Sequence, residues 1–187
     1  MSARCSPQVI VLNGGSSSGT SSIARALQER LPDIWLTFGV DTFIDALPGR
    51  GDSPRAGISF EPDGTVTLTP RFQDLERSRY LGLSAMAASG ARLILDEVLL
   101  SGGAGQDRLR STLSNAVLFW VGVRCSPDVA AAREALRPDR VVGMARQQAG
   151  RVHEGVVYDL EVDTTSRTAD ECAQEIAAEL GRRVLPE

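Results

Sequence analysis

Val9-Ile10-Val11-Leu12 leads directly into Gly14-Gly15-Ser16-Ser17-Ser18-Gly19, and Ile23, Ala24, Ala26, Leu27 and Leu31 follow at helical spacing. Four consecutive apolar residues ahead of a glycine turn predict a strand covered on both faces, as in a parallel sheet. The apolar spacing beyond the turn predicts a helix packed back against that strand. A strand, a tight turn and a helix in this order point to an α/β architecture. Glycines expose backbone N–H groups, and the positive end of the helix dipole stands behind them, so the turn attracts an anion. The pattern G-x-x-x-x-G-K-[ST] fits at Gly14, Gly19 and Ser21, with Thr20 at the lysine position. On that pattern Ser21 offers its hydroxyl to Mg2+. The lysine's mobile charge on the β- and γ-phosphates is what Thr20 does not supply.

The 187 residues suit one domain, 1–187, with a proper core. A net charge of −4 argues against a broad nucleic-acid or anionic-membrane surface. No apolar stretch is long enough to span a bilayer, and the leader MSARCSPQ leaves no room for a signal peptide before the first strand. Cys5, Cys125 and Cys172 are odd in number and far apart, which fits reduced thiols in the cytoplasm. All 20 basic residues are arginine. The chain thus contains no lysine anywhere.

Further along, Ile34 to Val40 reads as a second buried strand with Asp41 at its C-terminal end, where open α/β sheets bind ligands. A short helix, Thr42 to Leu47, follows. Two β-prone runs flank Pro62-Asp63-Gly64, a hairpin inserted near the substrate. Phe72 to Ser89 predicts a long helix closed by Gly90. Ala91 to Leu95 predicts a third strand ending in Asp96-Glu97, and a carboxylate there is the usual metal partner of a phosphate loop. Gln106 to Leu113 is a short helix, and Ala116 to Val123 a fourth strand. Ser126 caps the next helix with Pro127 at its first position. That helix carries Arg133 and Arg137 and is broken by Pro138. Asp139-Arg140 then opens a helix running to about Val152. Arginines clustered at about 133–145 suggest a lid that closes on phosphates. Leu160 to Asp163 is the last strand and Thr168 to Leu180 the last helix. His153, the only histidine, reads as structural. Trp35 and Trp120 read as core, and Phe43 and Tyr80 as packing residues.

Taken together, VLNGGSSSG (Val11 to Gly19), WLTFGVD (Trp35 to Asp41), GARLILDEVLL (Gly90 to Leu100), WVGVRC (Trp120 to Cys125), REALRPDRVVGMA (Arg133 to Ala145) and VHEGVVYDLEVDTT (Val152 to Thr165) resemble the chloramphenicol phosphotransferase family of small P-loop kinases. The resemblance implies a three-layer P-loop kinase-like fold with a five-stranded parallel sheet and a small hairpin insertion. It implies transfer of the γ-phosphoryl group of ATP or GTP, with Mg2+, to a hydroxyl of a small antibiotic-like metabolite. By the same resemblance Asp41 is the base. Gly14, Gly15, Ser16, Ser17, Ser18, Gly19, Thr20, Ser21 and Ser22 hold the nucleotide, with Asp163 and Thr164 near its base. Ser21 and Asp96 serve the metal, and Arg133, Arg137 and Arg140 form the lid. Thr20 departs from the family's lysine. The alternative is therefore a non-catalytic or repurposed P-loop protein that binds a nucleotide or small metabolite.

Overall fold

The computed structural model describes residues 7–51, 53–61, 63–137 and 143–184. In chain order its elements are β1 (Val9–Asn13), α1 (Thr20–Arg30), β2 (Trp35–Gly39), α2 (Val40–Asp45), a short 3-10 turn at Pro48–Gly51, β3 (Ile58–Phe60), β4 (Val66–Leu68), α3 (Pro70–Ala88), β5 (Arg92–Glu97), α4 (Gly103–Thr112), β6 (Leu118–Arg124), α5 (Pro127–Glu134), α6 (Met144–Arg151), β7 (Leu160–Asp163) and α7 (Ala169–Val184). Five strands form one parallel sheet in the order β2-β5-β1-β6-β7, with β1 at its centre.

The central position of β1 explains its unbroken apolar run. Successive strand residues point to opposite faces, and both faces here are covered. Ile10 and Leu12 pack with Ile23, Ala24 and Leu27 of α1 and with Cys172, Ala173 and Ile176 of α7. Val9 and Val11 pack on the other side with Leu83 and Ala87 of α3 and Leu109 of α4. The four apolar side chains of β1 are fully buried, and each such burial contributes about 1.5–3 kcal/mol. The result is the three-layer arrangement expected from the sequence.

β2 departs from its expected burial. It lies at the sheet edge with one strand neighbour, β5. Only Trp35 is buried in it, while Leu36 is 38% and Ile34 83% exposed. An apolar run cannot by itself distinguish a central strand from an edge strand. The strand also ends at Gly39, so Asp41 lies in the first turn of α2. Gly39 pairs with Asp96 in register, which brings Asp41 and the end of β5 to the same end of the sheet.

The predicted hairpin is present as the antiparallel pair β3 and β4. Its residues Ile58, Phe60, Val66 and Leu68 form a separate apolar cluster with Phe43, Ile44 and Phe72. α3 begins two residues before its expected start, because Thr69 caps it by accepting from Phe72 N at 3.3 Å with Pro70 at its first position. α4 begins at Gly103, three residues early, where its glycine-rich first turn hides the helical pattern. α5 starts as expected, with Ser126 Oγ accepting from Val129 N at 3.2 Å. Asp139 and Arg140, expected to open the next helix, lie outside the described residues, and α6 is capped by Gly143.

Candidate active site

The glycine turn folds as a loop at the carboxyl end of β1. Gly14 N donates to Glu97 O at 3.2 Å, and Ser18 N donates to Gly15 O at 3.1 Å. Gly14 permits the close approach inside the loop. A Cβ there would lie 2.4 Å from Ser18 Oγ and 2.8 Å from Thr20 Cγ2. Gly19 caps α1 at φ 94°, in the left-handed region that favours glycine. The first-turn N–H groups of α1 have no intrahelical acceptors. The hydroxyls of Ser16, Ser17 and Ser18 are buried without a hydrogen-bond partner among the described residues. Buried polar groups are normally paired, so three unpaired hydroxyls in one anion-attracting loop are what a phosphate-binding cradle requires. Thr20 is itself buried, with its methyl turned inward toward Gly14.

Ser21, one residue into α1, donates through Oγ to Asp96 Oδ2 at 2.5 Å. Ser21 and Asp96 offer hard oxygen ligands of the kind that Mg2+ takes alongside phosphate oxygens and water. Adjacent Glu97 faces the other way. It is buried, paired with Arg79 and within 3.3 Å of Tyr80 Oη. Burial depresses the Arg79 pKa and raises that of Tyr80. Alternation along β5 thus sends one carboxylate to the loop and the other into the layer under α3.

Three groups brace the loop. Thr164 Oγ1 donates to Ser18 O at 2.7 Å, and Arg133 reaches Thr164 Oγ1 at 3.2 Å and Thr164 O at 2.7 Å. Gln148 of α6 accepts from Ser16 N through Oε1 at 2.8 Å. Asn13 donates to Val152 O at 2.8 Å and accepts from Leu99 N at 3.0 Å. Asn13 also donates to Tyr158 Oη at 2.6 Å, which lies 2.6 Å from His153 Nδ1. Burial, aided by Arg124, lowers the His153 pKa to about 4, and burial pushes Tyr158 up to about 12. His153 therefore stays neutral as a buttress behind the loop, in keeping with its structural reading.

A cleft of about 1080 Å³ opens in front of these residues. Gly15, Ser16, Ser17, Gly19, Thr20, Ser21 and Ser22 line one end of it. Asp41, Asp96, Arg133 and Arg137 line it too. Gly14 and Ser18 shape the loop from behind, and Arg140 lies outside the described residues. Thr164 sits beneath the loop, and Asp163 accepts from Thr165 N at 2.7 Å outside the cleft. The other end is walled by Ile44 of α2, by Ile58, Phe60, Val66 and Leu68 of the hairpin, and by Phe72. Gln73, Glu76, Tyr80 and Arg108 add polar groups there. Burial raises the Glu76 pKa against the opposing pull of Arg108 and Arg79.

Several of these residues escape sequence reasoning. Gln148, Arg108 and Glu76 line the cleft but lie mid-helix without a motif, and Arg151 lines it from the last residue of α6. Glu134 is buried and accepts from Gly143 N at 2.7 Å and Ala145 N at 2.8 Å. It thereby ties the end of α5 to the start of α6. Tyr80, expected to serve packing, does both, being buried and cleft-lining.

Comparison with known proteins agrees with this geometry. The sequence profile of the family described as chloramphenicol phosphotransferase-like protein matches residues 7–181. "Putative O-phosphotransferase Rv2636" of Mycobacterium tuberculosis strain H37Rv is 34% identical over 181 residues, covering 90% of this chain and 80% of that protein. A gluconokinase from Sinorhizobium meliloti 1021 superposes with a TM-score of 0.66 at 22% identity, over 94% of this chain and 93% of the other. The Mycobacterium tuberculosis APS kinase in complex with AMPPNP and APS superposes with a TM-score of 0.62 at 17% identity, over 94% and 98%. The fold is that of P-loop kinases, and the chain is a kinase-type enzyme that belongs to the chloramphenicol phosphotransferase-like family.

Proposed function

We propose that the chain transfers the γ-phosphoryl group of ATP or GTP to a hydroxyl of a small antibiotic-like metabolite in the cytoplasm. The observation that carries this reading is that Ser21, Asp96 and Asp41 open onto one cleft beside the phosphate loop. The acceptor hydroxyl oxygen attacks Pγ, and its proton passes to the Asp41 carboxylate. The bond from Pγ to the β,γ-bridging oxygen breaks, and its electron pair leaves on the nucleoside diphosphate. The loop N–H groups and the serine hydroxyls orient the phosphates. Mg2+ held by Ser21 and Asp96 would neutralise charge on the phosphate oxygens. Arg133, Arg137 and Arg140 contribute positive charge from the lid. The nucleotide's base extends past Gly19 toward Asp163 and Thr164. Apolar hairpin residues and Phe72 would hold the acceptor's body, so the acceptor is a hydroxylated molecule with a substantial apolar part.

The test is transfer from γ-labelled ATP and GTP to a panel of hydroxylated metabolites, on wild type and Asp41→Asn. Acceptor-dependent label transfer that falls about 10²- to 10⁴-fold in Asp41→Asn is expected, the usual range for loss of a general base. No turnover across the panel, with Asp41→Asn indifferent, overturns the reading. Tight nucleotide binding without transfer would favour the alternative that Thr20 raises, a binder that has given up the chemistry.

A further inference from the structure

Four described arginines line the cleft: Arg108, Arg133, Arg137 and Arg151. Two of them have evident structural tasks. Arg108 donates to Ser101 Oγ at 2.7 Å, and Arg133 is fixed on Thr164. The guanidinium of Arg151 is exposed and has no hydrogen bond or ion pair among the described residues. Its backbone, in contrast, is tightly held. Next to it, Val152 O accepts from Asn13, the residue that opens the phosphate loop. One turn earlier, Gln148 accepts from Ser16 N within the loop. Two residues beyond Val152, Glu154 O accepts from Gly103 N at 2.8 Å. The end of α6 is thus pinned between the Gly15-Ser16 side of the loop and the segment after β5. A free cation on a rigid stem lines the cleft beside a loop whose own cation is missing.

We infer that Arg151 supplies the positive charge on the transferring γ-phosphate that Thr20 cannot, acting from α6 instead of from the loop. This rests on the phosphotransferase reading above. A guanidinium offers a fork of donors that matches two oxygens of a phosphoryl group. Here it would stabilise charge on the γ-oxygens while the bridging bond breaks and the acceptor oxygen bonds to phosphorus. The plain rival role is a cation at a helix C-terminus that only complements the helix dipole. That role would affect stability and would not distinguish one nucleotide from another.

The experiment is calorimetric titration of Mg2+-ATP and Mg2+-ADP into wild type, Arg151→Gln, Arg151→Lys, Thr20→Lys and the Thr20→Lys/Arg151→Gln double variant. Loss of a charge-assisted contact to the γ-phosphate predicts that Arg151→Gln weakens ATP about 10- to 100-fold. ADP binding changes by less than about threefold, since the contact is to the γ-group. Arg151→Lys retains part of the discrimination, and Thr20→Lys restores ATP binding in the Arg151→Gln background. Equal weakening of ATP and ADP, or no change in either, overturns the role of Arg151 while leaving the phosphotransferase reading standing. Failure of wild type to bind either nucleotide overturns both.

Discussion

Ser21 Oγ and Asp96 Oδ2 lie 2.5 Å apart, joining the first turn of α1 to the end of β5 across the phosphate loop. The contact links the hydroxyl and the carboxylate proposed above to hold Mg2+. Replacing Asp96 with Asn keeps its shape and removes its charge. Metal-dependent transfer should fall by about 10²-fold or more, as when a group that stabilises transition-state charge is lost. Thermal unfolding should move little, because Ser21 still has an oxygen acceptor. Steady-state kinetics across a Mg2+ titration check this, and an unchanged kcat would remove Asp96 from the site.

Gly14 has no room for a side chain. A Cβ there would lie 2.4 Å from Ser18 Oγ, 2.8 Å from Thr20 Cγ2 and 3.0 Å from Val123 O. Gly14→Ala should therefore cost about 1–3 kcal/mol of stability, the usual penalty of overpacking. It should also weaken nucleotide binding by displacing the loop. Denaturant unfolding together with nucleotide titration separates the two effects.

Much of this loop was legible in the sequence. The strand, the turn, the start of α1 and the approach of Asp96 all follow from Val9 to Leu27 and from an apolar run ending in an acid. The edge position of β2 was not legible, because Ile34 to Val40 carries the same apolar signal as a central strand and its burial depends on which strands pair. The bracing of the loop by Gln148 and Thr164 was not legible either. Those contacts join residues more than 130 positions apart in sequence, and side chains in helix interiors carry no motif. The early start of α3 was within reach, since Thr69-Pro70 is a cap followed by proline at the first helical position.

Glu134, at the end of α5, holds the start of α6 through Gly143 N and Ala145 N. Glu134→Ala leaves two backbone donors without their carboxylate, at a cost of about 1–3 kcal/mol if they stay buried. With Arg133, Arg137 and Arg140 in the lid role proposed above, the expected consequence is a raised nucleotide KM. Hydrogen exchange should report faster opening confined to residues 143–148. Exchange rising equally throughout the sheet would contradict a local clasp.

His153 gives a pH signature. Its pKa falls from an ordinary value near 6.5 to about 4 in the fold, chiefly by burial. The unfolded chain thus binds the proton more readily between these values. The contribution of His153 is fully present above about pH 6.5 and is lost as pH falls toward 4, by up to about 3 kcal/mol. Urea unfolding of wild type and His153→Gln at stepped pH checks the slope. The wild-type stability should fall more steeply than that of the variant across this window, and parallel curves would contradict it.

A phosphate loop with Thr20 in place of lysine should still hold a nucleotide. Calorimetric titration of wild type with Mg2+-ATP and Mg2+-GTP, beside Thr20→Lys, tests it most directly. Saturable binding by wild type is expected, because the loop backbone, the three serine hydroxyls, Ser21 and Asp96 remain in place. Binding by Thr20→Lys alone, with none by wild type, would contradict it.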